Sequence, residues 1–352
     1  MIFAEKLNTI AENMVHLQNV TKKWFDRGRD YEQQEFWNVF QQNGARQNYE
    51  HGFAGKGWYN ENLKPKYDIT PSYASNMFLN TEYKGDLRDL PVKLDFSKSS
   101  SMSNLLGYAY GITGIGVVDT RMTANPLAIF TYARALQTVE KLILKSDGSQ
   151  SLNNAFTQCY ELRDIVIEGT IGQTVDFQHS TKLSKASITS IINALSSSVS
   201  GKSVSLSKDA VIEAFRNGVN LLSKPYIDSA KVVNGITFTD NGDGTITANG
   251  TATADATFSV KVFQTTPNGS FALVGCPVGG SASTYYIAYE GYGRDYGKGV
   301  MWDGSRDFWD TVIIVIKKGT KVSNLKFAPQ INNINEWNAL VATKSDWTIN
   351  LL

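Results

Sequence analysis

Cysteine is nearly absent from this chain: Cys159 and Cys276 are the only two among 352 residues. They lie in segments assigned below to different domains, so no disulfide framework is expected and a reducing compartment fits. Histidine is almost as scarce. His16, His51 and His179 sit in three separate segments, which argues against a zinc centre built from clustered imidazoles. Charge of one sign is lacking too. The 34 basic and 33 acidic residues leave a net charge of +1, with no block of like charge, so neither nucleic acid nor a membrane surface is an expected partner. Long apolar runs are missing; the densest, VIIVI at Val312–Ile316, is far too short to span a bilayer and reads as a buried strand. The opening MIFAEKLNTIAEN has no basic stretch followed by an apolar one, so no secretory leader is expected.

Catalytic signatures are also absent. There is no Gly-x-Ser-x-Gly elbow, no His-Glu-x-x-His pair and no phosphate-binding loop of the Walker type. In GITGIGVVD, Asp119 stands where a dinucleotide fingerprint needs its third glycine. His179, in DFQHST, lacks a nearby Cys or Asp pattern and reads as a loop histidine. The expected activity is therefore non-enzymatic, with no cofactor and no metal. Carboxylates paired in space rather than in sequence, Asp303 and Asp307 first among them, keep a polysaccharide depolymerase as the lesser alternative.

What is present divides into three regions. In the first, residues 1–75, apolar residues recur at Phe3, Leu7, Ile10, Met14 and Leu17 in alternating steps of four and three, the seam of a coiled coil. So short a helix is marginal alone, so the seam needs a partner. Self-association, with a trimer favoured, is expected ahead of packing on the chain's own body. A second helical stretch, YEQQEFWNVFQQNG, follows. Phe36–Ile69, FWNVFQQNGARQNYEHGFAGKGWYNENLKPKYDI, resembles an N-terminal segment of tail-region proteins of phages and prophages of Gram-positive and gut bacteria.

The second region, residues 76–219, carries a weak apolar repeat spaced +3 and +2. Its copies are Leu87/Leu90/Val92, Ile112/Ile115/Val117, Leu162/Ile165/Ile167 and Leu183/Ala186/Ile188. Leu136, Val139, Leu142 and Leu144 form a copy with one extra residue. Starts at 87, 112, 136, 162 and 183 are separated by 25, 24, 26 and 21 residues, the period of a leucine-rich-repeat solenoid. Small residues (Ala109, Ala133, Cys159) fall three before a start, and Phe130 and Phe156 six before. Cys159 in that slot reads as a packed thiol. LNNAFTQCYELRDIVIEGTI is similar to the leucine-rich repeats of bacterial surface proteins and phage tail proteins. Two helices, SITSIINALS and LSKDAVIEAFRNG, are expected to end the repeat, with SSSVSGKS as a loop between them.

From residue 220 to 352 the texture turns to Thr, Gly, Val and aromatics. Asp240-Asn241-Gly242-Asp243-Gly244 has the acidic crowding of a calcium loop, but Gly242 fills a ligand position and no Glu follows at the twelfth. The alternation of Ile236 and Phe238 with Ile246 and Ala248 favours a hairpin corner. Further strands are expected at Phe258–Phe263, Phe271–Val274, Tyr285–Tyr289, Val312–Ile316 and Leu325–Ala328, the pattern of an antiparallel sandwich. The stretch NGITFTDNGDGTITANGTATA from Asn234, with GSFALVGCPVGGSASTYYIAY and IKKGTKVSNLKFAPQI, resembles the carbohydrate-binding-like jelly-roll modules at the ends of phage tail proteins.

Between these strands, YYIAYEGYGRDYGKGVMWDGSRDFWD supplies the candidate glycan contacts Tyr292, Arg294, Asp295, Tyr296, Trp302, Asp303 and Trp309. Flat aromatic faces cover sugar C–H surfaces at low entropic cost, while planar polar groups fix hydroxyls. The expected fold class is thus α+β multidomain: N-terminal helices, a leucine-rich-repeat-like β solenoid and a C-terminal antiparallel sandwich of jelly-roll type. The resemblances imply a tail or baseplate protein of a phage virion, assembled in the bacterial cytoplasm. Its implied partners are other virion proteins, copies of itself and host cell-surface polysaccharide. A purely structural virion component, whose sandwich docks neighbouring subunits, is the alternative.

Overall fold

The computed structural model describes residues 68–81, 83–218, 220, 222, 230–261, 271–289, 293–302 and 311–352. The expected seam of Phe3, Leu7, Ile10, Met14 and Leu17 lies outside these residues. The fold is β-rich and multi-sheeted, with three α-helices and no closed barrel among the described residues. Contacts divide the chain into two compact units. One holds the described residues up to Ser207 together with Lys344–Leu352; the other holds those of Lys208–Thr343. The boundary therefore falls at 207/208 rather than 219/220, and the last nine residues belong to the first unit.

In the first unit, β1 (Gly85–Asp86), β2 (Ile112–Asp119), β3 (Thr138–Ile143) and β4 (Asp164–Glu168) form a parallel sheet in that order. Gly114 pairs with Thr138, and Thr138 with Asp164, the offsets expected between those copies of the repeat. A register shift falls between Val139 and Leu142, where the extra residue was read. The second copy shares that extra residue. Val118, not Val117, is the buried member, and Val117 is exposed, because Val118 lies opposite Leu142. In the first copy, Gly85 rather than Leu87 faces Ile112, since Leu87–Asp89 winds into a 3-10 turn capped by the Asp86 side chain.

The segments between strands are bonded to one another as well. Backbone N–H groups of Asn76, Phe78 and Asn80 donate to the carbonyls of Ser103, Leu105 and Gly107; Asn104, Leu106 and Tyr108 to Leu127, Ile129 and Thr131; Ala128, Phe130 and Tyr132 to Asn153, Ala155 and Thr157, at 2.7–3.2 Å. Two positions per turn adopt the left-handed region: Asn76 and Asn80, Asn104 and Tyr108, Ala128 and Tyr132, Asn154 and Gln158. Asparagine tolerates that conformation, whereas other side chains there cost about 1–2 kcal/mol. Inside, Phe156 stacks on Phe177 at 4.1 Å between ring centroids and meets Phe130 at a tilt at 5.6 Å. Cys159 is fully buried, and burial pushes its thiol up to about 12, so it is a packing residue.

The fifth apolar copy is not a strand. Residues Lys185–Ala194 form helix α1, because Ile188, Ile191 and Ile192 all become buried at helical spacing. This helix closes the open edge of β4 with side chains instead of backbone. The Ile165 N–H donates to Ser187 Oγ at 2.8 Å, Ser187 Oγ donates to the Arg163 carbonyl at 2.9 Å, and the Ile167 N–H donates to Ser190 Oγ at 2.8 Å. An unpaired edge otherwise invites strand addition. Ser187→Ala leaves the buried Ile165 N–H without its partner, and a loss of about 1–3 kcal/mol is expected in urea denaturation. Beyond β4 come β5 (Val175–Phe177) and β6 (Lys202–Leu206), which pair in parallel. Strand β6 thus takes up the end of the segment read as a loop.

The second unit begins with helix α2 (Lys208–Phe215). It continues through β7 (Lys231–Val233), β8 (Ile236–Asp240), β9 (Ile246–Thr251), β10 (Ala256–Lys261), β11 (Phe271–Val274), β12 (Tyr285–Tyr289), β13 (Gly293–Asp295), β14 (Val300–Trp302), β15 (Thr311–Ile316), β16 (Lys321–Phe327) and β17 (Gln330–Asn333), and ends in helix α3 (Asn335–Ala342). These strands make three antiparallel sheets, ordered β10-β15-β12-β13, β14-β11-β17 and β16-β9-β8-β7. One apolar core joins all three, with Phe238, Phe258, Phe271, Ile314 and Phe327 buried together. Phe215 of α2 packs on Trp337 of α3 at 5.4 Å. Gly218 is required between α2 and β7, since a Cβ there would overlap the Asn333 carbonyl.

The last strand, β18 (Trp347–Leu351), returns to the first unit and pairs in parallel with β6 along its whole length. No helix among the described residues is long and apolar enough to cross a membrane.

Candidate functional site

Strand β12 alternates inward and outward. Ile287 and Tyr289 enter the core, and Tyr286 and Ala288 take the opposite face. Registers across the sheet extend that face into two rows. Thr257, Val315 and Tyr286 form one; Ser259, Ile313, Ala288 and Arg294 form the other. Arg294 is exposed, and its guanidinium carbon lies 4.8 Å from the centroid of the Tyr286 ring. Tyr296 meets Tyr286 edge to face at 5.7 Å. A hydrogen bond with Tyr296 and the electrostatic pull of Tyr286 and Tyr296 hold Arg294 above its usual range. The result is a planar cation resting on one tyrosine and flanked by another, the arrangement in which rings and guanidinium restrict each other's motion.

Asp295 does not join that face. It is 1% exposed because β13 turns alternate residues inward. Its Oδ1 accepts the N–H groups of Gly297, Lys298 and Gly299 at 2.8, 3.0 and 2.7 Å, and Oδ2 accepts the Cys276 N–H at 2.9 Å. The carboxylate organises the turn that carries Arg294 and Tyr296 and has no direction left for a sugar. Trp302 closes β14, with its backbone opposite Phe271. Tyr292, Asp303 and Trp309 lie outside the described residues, as does Asp307. No family model matches this chain, and it matches no curated protein and no solved structure.

Tyr286 was missed from sequence. It lies on the face opposite Ile287 and Tyr289, where Arg294 and Tyr296 cover it and leave it 7% exposed. The acidic corner is a hairpin turn: Asp240 Oδ1 accepts the Gly242 N–H at 2.8 Å, and Asp243 Oδ1 accepts the Thr245 N–H at 3.0 Å. Asp243 also pairs with Lys326 at 3.2 Å. Among the described residues no group of three or more His, Cys, Asp or Glu is placed to hold a metal.

Proposed function

We propose that this chain is a non-enzymatic structural and adhesion protein of a phage tail or baseplate, and that its antiparallel unit binds cell-wall glycan of the host. The parallel sheet and its bonded turns are then successive coils of a leucine-rich-repeat-like solenoid, and the three antiparallel sheets a module of jelly-roll type. The virion setting, the other virion proteins as partners and self-association through the N-terminal seam rest on the sequence resemblances and the heptad pattern.

One observation carries the binding role: the Arg294–Tyr286–Tyr296 cluster on the outer face of the four-stranded sheet. A fixed guanidinium beside a tyrosine edge provides both an apolar plane and directed donors, the pair of properties that sugar recognition needs. The test is sedimentation of the full chain with isolated Gram-positive cell walls and with arrayed wall glycans. An Arg294→Ala, Tyr296→Ala variant is expected to bind at least about tenfold more weakly, roughly 1.4 kcal/mol, with unchanged thermal melting. Equal binding by the variant would leave the docking of neighbouring virion subunits as the reading of this face.

A further inference from the structure

The first unit carries a second aromatic surface. In three successive turns two side chains flank a buried small residue: Tyr108 and Tyr110 around Ala109, Tyr132 and Arg134 around Ala133, Gln158 and Tyr160 around Cys159. Turn-to-turn backbone hydrogen bonds hold the three pairs side by side. Tyr108 and Tyr132 stack at 4.7 Å with planes 13° apart. Arg134 lies over the Tyr110 and Tyr132 rings at 5.4 and 5.8 Å, and its Nη2 donates to Gln158 Oε1 at 2.7 Å. Tyr160 continues the strip and meets His179 edge to face at 5.9 Å. Tyr110 is 52% exposed and Tyr160 39%.

Two features set this strip apart from an ordinary polar surface. Tyr108 and Tyr132 are held at φ 57° and 58°, a conformation bulky residues avoid and that clusters at functional positions. The equivalent position in the preceding turn is Asn80, which fits without strain. Second, Arg134 has no carboxylate partner among the described residues, whereas Arg88, Arg121, Arg163 and Arg216 each pair with one. Among the described residues its positive charge meets only rings and an amide.

We infer that this strip binds a linear acidic polysaccharide, with Arg134 taking a sugar carboxylate and Tyr110 and Tyr160 covering pyranose faces. The guanidinium fork matches a carboxylate in two bonds. The strip repeats at the spacing of neighbouring strands, about 4.8 Å, which suits a polymer of repeating sugar units better than a single compact ligand. Exposed ring faces distinguish such a chain from a simple polyanion, which has no C–H surface to cover.

The test is titration of the full chain with oligogalacturonate, using polyphosphate and a neutral β-glucan oligomer as comparisons. Binding of oligogalacturonate alone, weakening as salt rises, is expected. Arg134→Gln and Tyr110→Ala should each weaken it about tenfold, and Arg134→Lys should recover part of the loss. Both side chains are exposed, so thermal melting reports whether each variant is folded. Equal binding of polyphosphate, equal binding of the neutral glucan, no binding at all, or an unaffected Arg134→Gln variant would overturn the assignment. So would a loss confined to the Arg294→Ala, Tyr296→Ala variant, which would move the acidic-glycan site to the other unit.

Discussion

Removal of residues 344–352 is expected to unfold the parallel-stranded unit while the antiparallel unit keeps its own melting transition. Strand β18 pairs with β6 from Trp347↔Lys202 to Leu351↔Leu206. Trp347 is 6% exposed, and its Nε1 donates to the Ser196 carbonyl at 2.7 Å. Lys344 Nζ donates to the carbonyls of Leu195 and Asn193 at 2.5 and 3.1 Å, satisfying orphan acceptors at the end of α1 and favouring its dipole. Trp347→Ala alone should lose about 3–5 kcal/mol, a large part of the roughly 5–15 kcal/mol that holds a domain together. Urea denaturation followed by circular dichroism measures it. A truncated chain whose first unit melts unchanged, while the second is weakened, would contradict the assignment of β18.

Asp295→Ala should be nearly as severe, and in the other unit. The substitution strands four backbone N–H groups at once, three of them in the turn after β13. Hydrogen bonds to a charged acceptor contribute about 1.5–3 kcal/mol each and do not simply add. A loss above about 3 kcal/mol is expected on that basis; if the Arg294–Tyr296 face binds glycan as proposed, that binding weakens too, because the two residues flank Asp295. Asp295→Asn should be milder. Its amide oxygen can keep the Oδ1 bonds, but its NH2 would face the Cys276 N–H. The same variant separates charge from shape at Cys276, whose thiol is pushed up to about 12 by burial first and then by the Asp295 charge. Removing the charge should lower that pKa and speed modification by a thiol reagent at alkaline pH.

Much of this architecture was readable from spacing. The offsets from Ile112 to Leu136 and from Leu136 to Leu162 agree with the observed pairings of β2 with β3 and β3 with β4. The alternation around Ile236, Phe238, Ile246 and Ala248 became the β8–β9 hairpin, and each further strand expected in the second unit overlaps an observed one, with Leu325–Ala328 found as the end of Lys321–Phe327. The failures share a physical cause: information that is not local. The triplet Leu183/Ala186/Ile188 is not a fifth strand: Ile188 lies with Ile191 and Ile192 on the face of the helix that SITSIINALS predicts. Strand β18 alternates Trp347, Ile349 and Leu351, but nothing nearby says that its partner is Lys202–Leu206. Asp295 reads as a ligand contact in the sequence because the residues around it read as loop. Without β13 there was no parity to point its carboxylate inward. The strip from Tyr108 to Tyr160 is not legible in the apolar repeat, whose signal lies in the buried middle residues Ala109, Ala133 and Cys159 and not in their neighbours.

The order of strands at the chain's two crossings bears on durability. Residues 208–343 are spliced between β6 and β18, which are themselves hydrogen-bonded neighbours. A protease that nicks either crossing leaves the other covalent link intact. Tension on the inserted unit is carried by two peptide connections instead of one, so a module used as a grip would survive a cut that would free a terminally attached one.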